Sequence, residues 1–189
     1  TPPPRGPPRT AGAKRGGAGL VTMALPLPIQ PALAAHLAEA TYLLLLAVEE
    51  HSFGATSPVL LHTLLAVARS SQAVGDLPQA RDSLRRYLTI AEEAQVADAG
   101  QRWRVLSMLS RMETLQQHDE EALKLQREAI AALAADRDAA DLERAHQLET
   151  LAEMEILHGT PQAAEGLLEE AVAARQAGAF ALDIRRIGL

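Results

Sequence analysis

The feature that most limits how this chain can fold is an internal repeat of 42 residues. Sliding the sequence against itself by that step superposes Leu64, Leu106 and Leu148, then Val67, Leu109 and Leu151, then Ala68, Ser110 and Ala152. The register holds through Ala80, Ala122 and Ala164, through Tyr87, Ala129 and Ala171, and through Leu88, Ile130 and Val172, without a gap. Repeats of this size stack as supersecondary units, because one unit cannot bury its own apolar face and its neighbours must cover it.

Within a unit the apolar residues fall three and four apart, as in Leu61, Leu64, Leu65 and Ala68 and again in Leu84, Leu88 and Ala91, which is the stripe of an amphipathic helix. Each unit therefore reads as two helices. The break between them is "GDLPQA" at 75–80, where Gly75 suits a positive φ, Asp76 caps the next helix and Pro78 fits its first turn. "GTPQAA" at 159–164 repeats the phrase, while "QHDEEA" at 117–122 has lost the Gly and Pro, so the middle joint is expected to be the least sharply specified. "TSPVLL" offers Ser57 as a cap and Pro58 as a first helical residue, and "DAGQ" at 98–101 and "ADRDAAD" at 135–141 supply breaks between units.

The expected fold is all-α: a right-handed α-solenoid of antiparallel helix pairs with about seven helices. Residues 30–189 form the helical domain. A half unit at 30–50 precedes repeats at about 56–97, 98–139 and 140–178, and Gly178 is expected to stop the last full helix before a partial one at 179–189. Composition agrees: aromatics are only 3% of the 189 residues, so Leu, Ala, Val and Ile must fill the core, and β-branched runs bounded by turn residues are missing.

Residues 1–29 are rich in Pro, Gly and Arg and read as a disordered tail. Met23 is a candidate internal start. A secretory leader is the competing reading, weakened by three prolines and a glutamine in its apolar stretch. The run "TYLLLLAV" at 41–48 is too short to span a bilayer, and extending it backwards meets Glu39 and His36, so it reads as a buried helix segment with no membrane role. With no cysteine there is no disulfide framework, thiolate metal site or thiol nucleophile, which fits the cytoplasm. Arg5, Arg9, Lys14 and Arg15 lie in the tail, leaving the rest at −10, with 14 Lys and Arg against 24 Asp and Glu. Such an acidic body argues against direct nucleic-acid binding.

Small Ala68, Ser110 and Ala152 in the first helices, Gly75 and Gly159 in the turns, and Ala80, Ala122, Ala164, Ala129 and Ala171 in the second helices resemble the tetratricopeptide repeat over residues 58–177. The period is longer than that family's ~34 residues and is similar to the long-helix variety of kinesin light chains and of sensor domains in some bacterial transcription activators. Leu64, Leu106, Leu148 and Ser71 stand where the motif commonly has Trp and Tyr, and the closing Pro is absent.

The resemblance implies a concave groove lined by the first helices, with His62, Leu65, Arg69 and Gln72 from the first unit. Arg104, Ser107, Arg111 and Thr114 follow from the second, and His146, Glu149, Glu153 and Ile156 from the third. Arg69 and Arg111 are one period apart, so their guanidiniums are expected side by side with Arg104 near, a geometry suited to a carboxylate or an acidic peptide. Glu149 and Glu153 give the third unit the opposite sign. The competing account pairs Arg69 and Arg111 with Glu113, Glu153 or Glu155, or leaves them solvated.

Signs of enzymatic chemistry are poor, and no catalytic residue, cofactor or metal is expected. "ERAH" at 143–146 has a carboxylate and an imidazole three apart, but no second copy, and "KRGGAG" at 14–19 lacks the spacing of a phosphate loop. The first functional reading is a protein- or peptide-binding scaffold with a preference for acidic segments or a C-terminal carboxylate. The alternatives are a sensor or coupling domain of a larger regulator, and a homo-oligomeric protein that associates through its Leu-rich first helix or the ends of the array.

Overall fold

The structure, a computed structural model, describes residues 31–96, 99–136 and 141–187. Among these residues are seven α-helices and no strand: α1 Pro31–Phe53, α2 Leu60–Val74, α3 Leu77–Glu93, α4 Ala99–Leu115, α5 Asp119–Ala135, α6 Asp141–His158 and α7 Pro161–Ile187. The all-α class and the helix number are those expected from the sequence. Each helix packs against its neighbours in the chain, giving three pairs, α2 with α3, α4 with α5 and α6 with α7, with α1 in front. The tail at 1–29, with the readings attached to Met23, to a leader and to "KRGGAG", lies outside the described residues.

The sequence repeat is a repeat of structure, since α3, α5 and α7 begin at Leu77, Asp119 and Pro161, 42 residues apart. Residues superposed by that shift share one environment. Leu64, Leu106 and Leu148 are buried, as are Ala68, Ser110 and Ala152 and the helix-opening Ala80, Ala122 and Ala164. Each buried Leu contributes about 1.5–3 kcal/mol relative to exposure, and the alanines let the helix axes approach closely enough to bury it. Leu88 and Ile130 pack against the core, whereas Val172 is exposed, because no described helix follows α7.

"GDLPQA" is a joint. Gly75 takes φ 88°, Asp76 N–H donates to Ser71 O at 2.9 Å, and Asp76 Oδ1 accepts from Gln79 N–H at 3.0 Å. The middle copy keeps the same backbone without the glycine: Gln117 takes φ 63°, and His118 N–H donates to Glu113 O at 3.0 Å. Three acids in the first turn of α5 face the positive end of its dipole. At the head of α2 the cap is weaker than expected. Ser57 Oγ accepts from Val59 N–H at 3.4 Å and the helix proper starts at Leu60, two residues beyond Pro58.

A buried carboxylate closes two of the joints. Arg85 Nη2 on α3 donates to Glu113 Oε1 on α4 at 2.7 Å, and Arg127 on α5 donates to Glu155 on α6 one period later. The side chains of Glu113 and Glu155 are 1% and 2% exposed. Their second oxygens hold the residue that opens the next helix: Glu113 Oε2 lies 2.7 Å from His118 Nδ1, and Glu155 Oε2 accepts from Thr160 N–H at 3.0 Å. Gly159 leaves room for this, since a Cβ there would lie 2.1 Å from Glu155 Oε2. In the first unit the same position is Ser71, whose buried Oγ has no partner among the described residues, and Leu43 stands where the arginine would be.

Two expectations fail. The first is the burial expected of the run 41–48 in α1: only Leu46 is buried, with Tyr42 packed beside it, while Leu44 and Val48 are exposed, as are Leu33 and Leu37 earlier in the helix. Its 23 residues are long and apolar enough to cross a membrane by length and composition, with a mean hydropathy of 1.5 over its best window. Arg86 of α3 ties down its end by bonding Glu50 and Ala55 O. The second concerns Gly178, which does not stop a helix, because α7 runs through it to Ile187. Its missing side chain admits α6, as an added Cβ would meet Leu142 Cγ at 2.9 Å and Leu142 N at 3.1 Å.

Candidate functional site

Two separate concavities open along the first helices of the pairs. The first, about 700 Å³, is lined by His62, Leu65 and Arg69 of α2, with Tyr42 of α1, Tyr87 of α3 and Gln101 of α4. It is framed by aromatics and carries no carboxylate. The second, about 420 Å³, lies between α4 and α6. Ser107, Arg111 and Thr114 line one wall and His146, Thr150 and Glu153 the other, over a floor that includes Gln126, Gln147 and Met154.

The floor of the second cleft is a closed polar network. Gln126 Nε2 donates to Gln147 Oε1 at 3.0 Å, Ser107 Oγ donates to the same oxygen at 2.9 Å, and Gln147 Nε2 donates to Glu143 Oε1 at 3.1 Å. Ser110, buried at the small-residue position, donates to Ala122 O at 2.8 Å, and Thr114 Oγ1 donates to Ser110 O at 3.1 Å. These groups satisfy one another as buried polar atoms must, so they shape the cleft and bridge α4, α5 and α6.

Apart from His158, the arginine, histidine and glutamate side chains that line the two clefts are unengaged among the described residues. Arg69 and Arg111 make no ion pair or hydrogen bond among the described residues, nor do the side chains of His62, His146 and Glu153. Away from the clefts, arginines are engaged at the start of α4, where Arg102 bonds Glu92, and on the second helices. Every arginine of α3, α5 and α7 whose side chain is described bonds a carboxylate: Arg81 to Asp82, Arg85 to Glu113, Arg86 to Glu50, Arg127 to Glu155 and Arg175 to Glu149. Pairing of Arg69 and Arg111 with Glu113 or Glu155 is thereby corrected, because those two carboxylates are taken by Arg85 and Arg127.

Other expected groove residues lie elsewhere. Arg69 and Arg111 line different clefts with no lining residue in common, so their guanidiniums do not meet at one site. Arg104 lines neither; its guanidinium sits 4.7 Å from the Trp103 ring centroid, and Nη1 donates to Gly100 O at 2.9 Å. Glu149 faces α7, where it accepts from Arg175, which leaves Glu153 as the acid of the second cleft. Gln72 and Ile156 line neither cleft, and Leu65 is a core residue at the edge of the first.

Sequence reasoning missed Tyr42, Tyr87, Gln126, Gln147 and His158 as lining residues. His158 closes the end of the second cleft with its Nδ1 2.9 Å from Asp119 Oδ2. Among the described residues no three His, Asp or Glu side chains gather as a metal site; Glu143 of "ERAH" bonds Gln147 instead. No protein-family model matches this chain, and no curated protein matches it.

Proposed function

We propose that the chain is a protein- or peptide-binding module, a TPR-like right-handed solenoid whose first-helix face captures a segment bearing negative charge. The observation that carries this reading is the division of the arginines. Those on α3, α5 and α7 whose side chains are described are consumed by carboxylates, whereas Arg69 and Arg111 stand at two clefts with no partner among the described residues. An unpaired guanidinium beside apolar and aromatic surface offers bidentate bonds to a carboxylate and a face for stacking.

The test is panning of phage-displayed random dodecapeptides on the whole chain. Selected peptides are expected to be enriched in Asp and Glu and to lose at least tenfold in affinity for the Arg69→Glu, Arg111→Glu double variant, with an unchanged circular dichroism melt. Unchanged affinity in that variant, or selection indifferent to charge, overturns the reading. A second reading, self-association through α1, draws on the exposure of Leu33, Leu37, Leu44 and Val48.

A further inference from the structure

We infer that the α4–α6 cleft is a dipolar subsite: it takes a peptide segment presenting an acidic and a basic side chain together, the acid to Arg111 and the base to Glu153. The α2 cleft takes acid alone. This inference rests on the reading of the clefts as a partner-binding surface and adds the polarity of the partner.

Arg69, Arg111 and Glu153 occupy the same place in three successive first helices, so the repeat itself sets a charge sequence of plus, plus, minus along one face. The first cleft sees only the first of these, with His62 beside it and no acid in its lining. The second sees the change of sign, with Arg111 on the α4 wall and Glu153 on the α6 wall. Neither bonds the other or any further group among the described residues, although both line one cleft of about 420 Å³.

Apart from His146, whose side chain is also unengaged among the described residues, the other polar groups of that cleft are already committed. Gln126, Gln147 and Ser107 bond one another, and His158 lies against Asp119. Arg111 and Glu153 are therefore the complementary pair of charges that an incoming segment meets, and a segment of uniform sign gains at one wall what it loses at the other. The exposed Leu115 and Leu157 also line this cleft, giving the partner an apolar anchor beside the charges.

The experiment takes one peptide selected on the whole wild-type chain and makes two versions, one with its basic residues changed to Ala and one with its acidic residues changed to Ala. Fluorescence anisotropy then measures all three against wild type, Glu153→Lys and Arg111→Glu. Wild type is expected to bind either single-charge version about fivefold more weakly than the parent, the scale of one exposed ion pair. Glu153→Lys is expected to prefer the version without basic residues, and Arg111→Glu to become indifferent to the loss of the acid. Both variants keep the wild-type fold because neither residue holds a structural bond.

Selected peptides without basic residues, or a Glu153→Lys protein that still favours the parent, overturn the dipolar subsite. If the Arg69→Glu, Arg111→Glu protein also binds the parent as tightly as wild type, the peptide sits elsewhere and the partner-binding reading falls with it. If that double variant weakens binding while Glu153→Lys changes nothing, only the dipolar subsite falls.

Discussion

Arg127 donates to the buried carboxylate of Glu155, and one period earlier Arg85 does the same to Glu113. Each carboxylate sits at the end of a first helix, with one oxygen turned to the preceding pair and the other to the residue that begins its own second helix. A single buried side chain thus fixes both the joint within a pair and the contact between pairs. The geometry places the cleft-lining α4 and α6 before any ligand arrives.

Glu155→Ala is expected to destabilise the chain by about 2–3 kcal/mol, because it opens a cavity and leaves Thr160 N–H without its acceptor. Arg127→Ala is expected to cost only about 1 kcal/mol, since its side chain is 56% exposed and water replaces the lost bond. Urea titration followed by the single tryptophan, the buried Trp103, measures both. Thr160 N–H, with help from Arg127, holds the Glu155 carboxyl below its ordinary 4.5 against the upward push of burial. A depressed folded pKa contributes stability that is complete above 4.5 and is lost as pH falls through the folded value. The gap between wild type and Glu155→Gln should therefore be widest near neutrality and shrink on acidification below 4.5. A gap that does not vary with pH, or a larger loss from Arg127→Ala than from Glu155→Ala, contradicts this account.

The helix pairs were legible because burial obeys the 42-residue step at most of the aligned apolar positions, so Leu64, Leu106 and Leu148 announce one another. The clamp was equally legible in principle, since the same shift aligns Arg85 with Arg127 and Glu113 with Glu155. Sequence alone does not single it out, because charged residues on helices are ordinarily solvated, and only the structure reveals that Glu113 and Glu155 turn inward. Gly178 misled for a related reason. A glycine late in a helical pattern reads as a stop, and whether it instead admits a neighbour depends on Leu142, which sequence spacing does not connect to it. The clefts were half legible. First-helix positions gave Arg69, Arg111, His146 and Glu153, but the partners of Arg104 and Glu149 depend on side-chain direction at the next helix.

Gln117 stands where the first joint has Gly75, and both are in the left-handed region, at φ 63° and 88°. A side chain costs about 1 kcal/mol there, a cost glycine escapes. Gln117→Gly is therefore expected to raise stability by up to about 1 kcal/mol, offset in part by the added freedom of the unfolded chain. Gly75→Ala should lower stability by a similar amount, although nothing lies within 4 Å of the position its Cβ would take. Paired urea titrations decide it: if Gln117→Gly destabilises, the side chain of Gln117 stabilises the joint more than its backbone strains it.

The exposed stripe of α1 leads to a prediction about assembly. Leu33, Leu37, Leu44 and Val48 follow helical spacing along one side of the helix, while Tyr42 and Leu46 pack towards α2. Water contacts a continuous apolar strip there, and a second copy related by a two-fold axis buries both strips at once. Light scattering on the whole chain is expected to give a dimer at high concentration, and Leu44→Glu with Val48→Glu to return it to monomer. Trp103, on α4, should keep its fluorescence in that variant, showing that the pairs behind α1 remain folded. A wild-type chain that stays monomeric at the highest attainable concentration would rule out α1 as a self-association surface.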